Sequence, residues 1–554
     1  MRTKSIVFTG VLLLLWLAPA PHAQESPLLS AMRDEMTRSM ADLRMKGEPA
    51  PYYIEYEIDD VVSMRAIARL GGIVDDVTDH TRTLRVQVRV GDYAFDSSRF
   101  VTQDRGGATG GATAPLDDNY DAIRREIWLT TDTAYKRAVS VFAKKKAAFQ
   151  NRASADQIPD FSRETPVVTV LPFTAPAPTD RKWVDRAKQL SAVFAPIADL
   201  DASEVWISEA HGTSFFLNSE GFKVVTPVTT AYLRISAEAR ADDGMTVPDV
   251  FAAVENRLDD LPPMSELMKR AAEIASHVKA RRWASVGDEY TGPLLIEGQA
   301  SAELLRQTLV PLMLARRASD TENPRFGQGQ GQATPFLTRI GLRVLSDSFS
   351  ASDTPSLKQY DGRPVAGAYV VDDEAMPAQD VTLVEKGRLV TLLTSRTPQK
   401  NLPQSNGHGR SGSVQAGVFQ LRSTQPTPAS ALKTKYLELL KAQSKPFGYI
   451  VRAVAAPGDV PGGGPGGPVI LDAVRVTPDG KEEPVRGLRF GGVPSTAFRD
   501  ILEASDERML HNYRVDAGTA ASIIAPSLIF EEIELQRTRE IVQKPPVVSP
   551  PPAQ

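Results

Sequence analysis

The chain has 554 residues, a length that indicates more than one domain. Of these residues 42% are hydrophobic and 24% are charged, which is typical of a globular protein. Its formal net charge is −4 at pH 7 and it contains no basic tract, which argues against a protein that binds nucleic acid through its charge. No cysteine occurs, so disulfides and thiolate ligands are excluded, and a metal ion would have to be held by histidine, aspartate or glutamate.

The first 23 residues have the pattern of a secretory signal. Arg2 and Lys4 precede an apolar run over residues 6–17, and the sequence APAPHAQ follows, with cleavage expected after Ala23. No other stretch approaches the roughly 20 apolar residues that a membrane-spanning helix needs. We therefore expect a protein without a membrane span that is periplasmic or secreted.

Residues 24–288 are expected to form an N-terminal mixed α/β domain. Apolar spacing and stop residues predict a helix that begins at Ser26 and is stopped by Gly47. Periodicity predicts three further elements, namely strands at residues 52–58 and 84–90 and a helix at residues 262–280. The glycine-rich stretch that begins at Gln103 is expected to be a loop.

Residues 289–540 are expected to form a second domain made mainly of short strands. Strands are predicted at residues 337–345, 366–371, 380–384, 388–393, 447–454, 469–476 and 528–536, with helices at 298–316 and 429–443. Many strands with few helices predict an α+β protein whose C-terminal sheet is antiparallel and partly closed. Glycine-rich loops are expected from Phe326 and Pro457, and a disordered proline-rich tail is expected at residues 541–554.

Several strings in this second half resemble one known family. They are YTGPLLIEGQASAELL from Tyr290, DDEAMPAQDVTLVEKGRL from Asp372, SNGHGR from Ser405, VRGLRFGG from Val485 and APSLIFEEIELQR from Ala525. Together with FFLNSEG from Phe215, they are similar to the TldD/PmbA family of metallopeptidase-like proteins. The resemblance covers roughly residues 200 to 537 and is weak over the first 190 residues.

The resemblance implies an active-site helix that this chain has altered. In zinc-bearing members of the family the helix opens with His-Glu-x-x-x-His, whereas the corresponding positions here read Ile296, Glu297, Gly298, Gln299, Ala300, Ser301 and Ala302. No histidine occurs in that helix, and the thiolate ligand that zinc-bearing relatives use is also missing. The sequence therefore predicts no metal site and no cofactor, with zinc expected only if the chain is an active enzyme.

Three residues are the candidates for a site. Glu297 and His408 are the candidate catalytic residues, and Arg410 is the candidate substrate-binding residue because its guanidinium can bind a carboxylate. For His408 a structural turn is the better account, since the flanking Gly407 and Gly409 are typical of turns. A serine nucleophile at Ser405 or Ser411 is a weaker alternative, because neither lies in a Gly-x-Ser-x-Gly elbow.

Two other features remain open. Glu303 could supply a carboxylate near the position of the lost metal, together with Glu297. The acidic run Asp372, Asp373 and Glu374 could chelate a hard cation such as Ca²⁺, although a solvated turn explains it at less cost.

The resemblance implies that the protein takes part in peptide processing and lacks its own zinc site. We expect it to bind extended peptide and to act in a homo- or hetero-oligomer as the pseudoenzyme partner of a zinc-bearing paralogue, without binding nucleic acid. The alternatives are an active peptidase whose non-standard metal site uses Glu297 and His408, and a peptide-binding or structural protein.

Overall fold

The computed structural model describes residues 26–102, 109–150, 158–172, 180–197, 200–322, 333–461, 466–516 and 518–538. The predicted signal at residues 1–23, the tail at 541–554 and most of the loop from Phe326 lie outside these residues. So do parts of the loops from Gln103 and Pro457. No helix in the described part of the chain is long and apolar enough to cross a membrane.

The described residues of the N-terminal half form one large sheet and four helices. The helices are α1 (Pro27–Asp42), α2 (Tyr120–Phe149), α3 (Lys182–Ala192) and α4 (Met264–Arg281). The strands are β1 (Pro51–Arg69), β2 (Gly72–Val90), β3 (Phe100–Val101), β4 (Thr109–Thr113), β5 (Val168–Val170), β6 (Ala202–Asn218), β7 (Lys223–Arg240) and β8 (Thr246–Glu255). Helix α1 starts where predicted, because Pro27 occupies the first turn, in which its missing N–H is not needed.

The seven-stranded sheet has the order β4-β2-β1-β6-β7-β5, with β8 paired to β7. All its pairs are antiparallel except that of β5 with β7. One face is covered by helices: α1 and α2 pack on Ile54, Tyr56 and Ile58, and α3 and α4 pack on the continuation of the same strands. The alternation of apolar and polar residues along β1 produces this division, because successive side chains point to opposite faces.

Where the structure describes the C-terminal half, it has two helices, α5 (Gly298–Thr308) and α6 (Ala429–Ala442). Its strands are β9 (Ser285–Val286), β10 (Tyr290–Ile296), β11 (Asp320–Thr321), β12 (Phe349–Asp353), β13 (Gln359–Tyr360), β14 (Arg363–Pro364), β15 (Val381–Glu385), β16 (Arg388–Leu389), β17 (Gly409–Arg410), β18 (Ser413–Val414), β19 (Val418–Ser423), β20 (Gly448–Ala455), β21 (Val469–Val476), β22 (Glu482–Arg486), β23 (Leu488–Gly492), β24 (Ile501–Arg514) and β25 (Ala520–Arg537). Short 3₁₀ turns occur at Leu258–Asp260, Val310–Met313, Pro335–Thr338, Pro457–Asp459 and Ala497–Asp500.

A twelve-stranded sheet organises this half, in the order β16-β15-β12-β19-β25-β10-β20-β21-β22-β9. Strand β24 pairs with β25, and β23 pairs with both β21 and β25. The last pairing closes a ring through β25, β10, β20, β21 and β23, so the sheet is partly closed. Most pairs are antiparallel, and the α+β class predicted from the sequence is confirmed.

Four predicted elements of this half differ from the structure. The strand predicted at residues 388–393 is shortened to β16 at Arg388–Leu389. The helix predicted at residues 298–316 ends at Thr308, because Pro311 has no N–H for the next helical hydrogen bond. Residues 337–345 form no strand, since a 3₁₀ turn begins at Pro335 and the nearest strand is β12. Residues 366–371 form a loop, in which the amides of Ala366 and Gly367 donate to the side chains of Asn512 and Ser522 on neighbouring strands.

The two halves meet at two apolar contacts on the face of the first sheet that carries no helix. Phe216 and Phe222 pack against Met376, and Tyr232 packs against Ala366 and Ala520 near the other end of the sheet. The boundary near residue 288 stays a prediction, although β9, which precedes it, pairs with β22 of the second sheet.

Candidate functional site

The strand-to-helix junction between β10 and α5 is formed by Glu297, which caps the helix in an extended conformation. Gly298 follows with a φ of +46°, a left-handed value that favours glycine, and its amide donates to the Ser527 hydroxyl at 2.9 Å. Strand β10 is paired on both sides, with β25 and β20, so the junction is held in a rigid frame.

The two positions at which the zinc motif would place imidazoles are both occupied by packed side chains. Ile296 is fully buried in the main core of the second half. Counted from Ile296, the second histidine falls at Ser301, which is 1% exposed and donates its hydroxyl to the Pro526 carbonyl at 2.7 Å. The hydrocarbon side chain of Ile296 has no donor atom for a metal, and the Ser301 hydroxyl is already hydrogen-bonded to a backbone carbonyl. These residues therefore do not fit zinc.

Glu297 lies in a chain of ion pairs on the outside of the second sheet. Its carboxylate accepts from Nε of Arg452 at 3.3 Å, and its side chain is 37% exposed. Arg452 also donates to both oxygens of Glu482 at 2.9 Å. Within the described residues no hydrogen bond or ion pair joins Glu297 to His408 or to Glu303.

His408 is fully buried in the turn that leads into β17. Its Nδ1 lies 3.0 Å from the backbone oxygen of Asn406, and its Nε2 lies 3.2 Å from Asp353 Oδ1. Gly407 has a φ of +78°, and a side chain on Gly409 would collide with the carboxylate of Glu374. These contacts describe the tight turn that the flanking glycines indicate.

The serine alternative has no support from the positions of the hydroxyls. Ser405 Oγ lies 3.5 Å from the carbonyl of Thr394, and Ser411 Oγ bonds to Asp516. Neither hydroxyl is hydrogen-bonded to His408 in the described structure.

Arg410 follows this turn and is 8% exposed. Its guanidinium lies over the ring of Tyr369, 4.3 Å from the ring centroid. Tyr369 is fixed because its hydroxyl donates to the Gly407 carbonyl at 2.6 Å. Nη1 of Arg410 is buried and has no hydrogen-bond partner among the described residues.

The acidic run at Asp372, Asp373 and Glu374 is not the solvated turn that the sequence favoured. Asp372 is 4% exposed, and its two oxygens accept from the amides of Glu374, Met376 and Gly409. Burial, together with the charge of Glu374, raises the pKa of Asp372 well above its usual range. Of the three, only Asp373 is exposed, because the run folds back against the His408 turn.

A buried ionic group that the sequence did not predict lies on α5. Glu303 is 2% exposed and accepts from Arg306, from Gln307 at 2.6 Å and from Nε2 of His511 at 2.8 Å. Burial opposes ionisation, but the hydrogen bond from His511 and the charge of Arg306 lower the pKa of Glu303 to about 2. The carboxylate is therefore ionised and fully engaged. The only sequence signal was an acidic residue within the apolar helix pattern.

The described residues contain no group of three or more histidine, aspartate or glutamate side chains placed to hold a metal ion. Near the junction, the described structure has a carboxylate–imidazole contact between Glu303 and His511. The positive charge of Arg306 already neutralises the negative charge of Glu303.

Residues 289–537 match the family model of the PmbA/TldA metallopeptidase C-terminal domain. Comparison with curated proteins gives no match.

Solved structures share the fold over almost the whole chain. A Thermotoga maritima protein described as a modulator of a DNA gyrase has a TM-score of 0.57 and 16% identity, and the alignment covers 91% of this chain and 100% of that one. TldE from Thermococcus kodakarensis has a TM-score of 0.55 and 15% identity, covering 91% and 99%. A Bacteroides thetaiotaomicron protein, also described as a modulator of DNA gyrase, has a TM-score of 0.56 and 11% identity, covering 92% and 98%. At these identities the likeness shows the fold.

Proposed function

The chain belongs to the TldD/PmbA family through its metallopeptidase-type domain at residues 289–537, and on this premise we propose that it acts in peptide processing without a zinc site of its own. Its role is that of a non-catalytic subunit that assembles with a zinc-bearing paralogue and contributes to the surface that holds an extended peptide. A relative of known structure, TldE from Thermococcus kodakarensis, has the same fold.

The observation that carries this proposal is the chemistry at Ile296 and Ser301. Zinc in a peptidase needs about three nitrogen, oxygen or sulfur ligands near 2 Å and an open position for water. Ile296 offers no donor atom, and the Ser301 hydroxyl is buried and bonded to a backbone carbonyl. No cysteine is present to replace them.

The rival is an active peptidase that uses Glu297 and His408 with an unusual metal site. Against it, the two ring nitrogens of His408 both contact protein oxygens, and the imidazole is fully buried. Glu297 is exposed and paired with Arg452, so it would have to leave this pair to act as a general base. A purely structural or peptide-binding role is the other alternative, and it differs from the proposal only in needing no zinc-bearing partner.

Activity measured with and without a partner tests the proposal. The purified chain alone should not cleave a casein-derived peptide mixture, whereas a His-Glu-x-x-x-His paralogue from the same genome should cleave it faster when this chain is added. Glu297→Gln should leave that stimulation and the melting temperature unchanged. Activity of the chain alone that disappears in Glu297→Gln, with an unchanged melting temperature, would establish Glu297 as the base and overturn the proposal.

The location is also part of the proposal. Arg2, Lys4 and the short apolar run favour export with removal of residues 1–23, which places the protein in the periplasm or outside the cell. Mass spectrometry of the protein from its native host should find an N-terminus at Gln24. An intact N-terminus at Met1 would contradict export by this route.

A further inference from the structure

Arg410 is a buried cation that contacts no anion among the residues that the structure describes. The residue is 8% exposed, Nη1 has no hydrogen-bond partner, and no hydrogen bond or ion pair of its guanidinium is found among the described residues. A buried charge is normally paired, because transfer out of water is costly unless an opposite charge or a set of hydrogen bonds replaces the solvent. An unpaired guanidinium in this position therefore indicates a ligand.

The neighbouring carboxylates do not fill this role, because each is committed to backbone amides. Asp353 accepts from the amides of Gly417 and Val418 at 3.1 Å. Asp372 accepts from the amide of Gly409 at 2.7 Å. The third carboxylate is that of Asp373, and its Oδ2 accepts from the amide of Ser411 at 2.7 Å. These acids stabilise the turn that carries Arg410, and they leave its guanidinium free to bind another group.

The ring of Tyr369 gives this cation a defined surrounding, because it supports one face of the guanidinium, as described above. A planar cation fixed on a ring suits a carboxylate, which accepts two parallel hydrogen bonds from arginine.

We propose that Arg410, supported by Tyr369, binds a carboxylate of the peptide ligand. This inference rests on the proposed function in peptide processing and adds a preference for acidic ligands. The carboxylate has two possible sources, the free C-terminus of a peptide and an aspartate or glutamate side chain, which share the same chemistry at the guanidinium.

Binding of three fluorescein-labelled pentapeptides, measured by fluorescence anisotropy on the full-length mature protein, tests this. The first is penta-alanine with a free C-terminus, the second is its C-terminal amide, and the third is the amide with a central glutamate. The wild-type protein should bind the first or the third at least about tenfold more tightly than the second, as expected for a charge-assisted hydrogen bond. Preference for the first assigns the site to chain ends, and preference for the third assigns it to acidic side chains.

Variants at the site should abolish this difference. Arg410→Gln should bind all three peptides equally, and Arg410→Lys should restore only part of the preference, because an ammonium keeps the charge but lacks the paired donors. Arg475→Gln is the matched control, since Arg475 also stacks on an aromatic ring, 4.2 Å from the Phe447 centroid, but is already paired with Asp288. This control should leave the preference unchanged.

A wild-type protein that binds the three peptides equally, or binds none of them, overturns the inference. So does a preference that survives in Arg410→Gln. These results are distinct from failure of the proposed function, which is judged by zinc content and by activity of the chain alone. If the chain contains zinc and is active but still shows Arg410-dependent binding, the proposed non-catalytic function is contradicted and the carboxylate site at Arg410 is supported.

Discussion

Arg396 and Arg410 lie on the same stretch of chain and are both buried, but within the described part of the chain only Arg396 is paired. Arg396 is fully buried and donates to both oxygens of Glu220, at 2.6 and 2.9 Å, and to the Ser162 carbonyl at 2.7 Å. Its guanidinium also lies 3.9 Å from the centroid of the Phe161 ring. Arg410 has an aromatic support of the same kind, but no described residue pairs with its charge.

This difference separates a residue that holds the fold together from one that is available to a ligand. These partners of the Arg396 guanidinium all come from the N-terminal half, so this side chain ties the two halves to each other. Breaking a buried pair leaves an uncompensated charge, whereas removing a charge that has no partner leaves nothing unpaired. The same substitution should therefore cost much more stability at Arg396 than at Arg410.

The largest effect is expected for Arg396→Gln. Loss of the guanidinium removes the cation that pairs with the Glu220 carboxylate and the donor to the Ser162 carbonyl. It should lower the free energy of unfolding by about 3–5 kcal/mol. Urea unfolding followed by circular dichroism measures this. Arg475→Gln, which breaks only a partly exposed pair, should cost less than about 1 kcal/mol. Equal costs for the two variants would show that the Arg396 contacts do not hold the halves together.

Glu255 forms a second contact between the halves. Its substitution should have an intermediate effect on the free energy of unfolding, and this effect should depend on pH. It is 2% exposed and contacts Arg363 and Asn512 of the C-terminal half, both at 3.3 Å. Burial outweighs these contacts and raises the pKa of Glu255 to about 7, from an ordinary value of 4.5.

The folded protein therefore holds this proton more tightly than the unfolded chain does. The stability that this provides is fully present below about pH 4.5 and is lost as the pH rises towards 7. Relative to Glu255→Gln, the wild-type protein should lose roughly 2 kcal/mol of unfolding free energy between pH 5.5 and pH 8. Urea titrations of both proteins at the two pH values measure the difference. A difference that does not change with pH would mean that Glu255 titrates as an ordinary carboxyl.

The smallest effect on stability is expected for Arg410→Gln. Because the guanidinium has no contacting anion, its loss should change the free energy of unfolding by less than about 1 kcal/mol. The measurement is the same urea titration as for Arg396→Gln. A cost close to that of Arg396→Gln would show that Arg410 is a structural residue and would remove the basis for a carboxylate site.

Local sequence patterns predicted much of the fold. The strand β21 at Val469–Val476 and the helices α4 and α6 lie close to their predicted positions, because each has a clear period and clear stops. The failures have local causes, such as Pro311 in the predicted helix after Gly298. Long-range pairing was not accessible: β1 extends over Pro51–Arg69, well beyond the stretch with clear alternation, because β2 and β6 pair with it on both sides.

The candidate site was only partly accessible from the sequence. The absence of histidine at Ile296 and Ser301 could be read directly, and the glycines around His408 indicated its turn. The contact between Glu303 and His511 could not be predicted, since the two residues are distant in sequence and meet only through the pairing of β24 with β25 next to α5. Whether an arginine is paired also depends on tertiary contacts, so Arg396 and Arg410 could not be told apart from sequence.

The zinc content of the mature protein tests the central claim most directly. The protein should be purified without chelators, dialysed and analysed by inductively coupled plasma mass spectrometry, with a His-Glu-x-x-x-His paralogue prepared in parallel. Because Ile296 and Ser301 supply no ligands, we expect the paralogue to retain about one zinc per chain and this protein to retain none in stoichiometric amount. One equivalent of tightly held zinc, lost in His408→Ala, would contradict the account and restore the peptidase hypothesis.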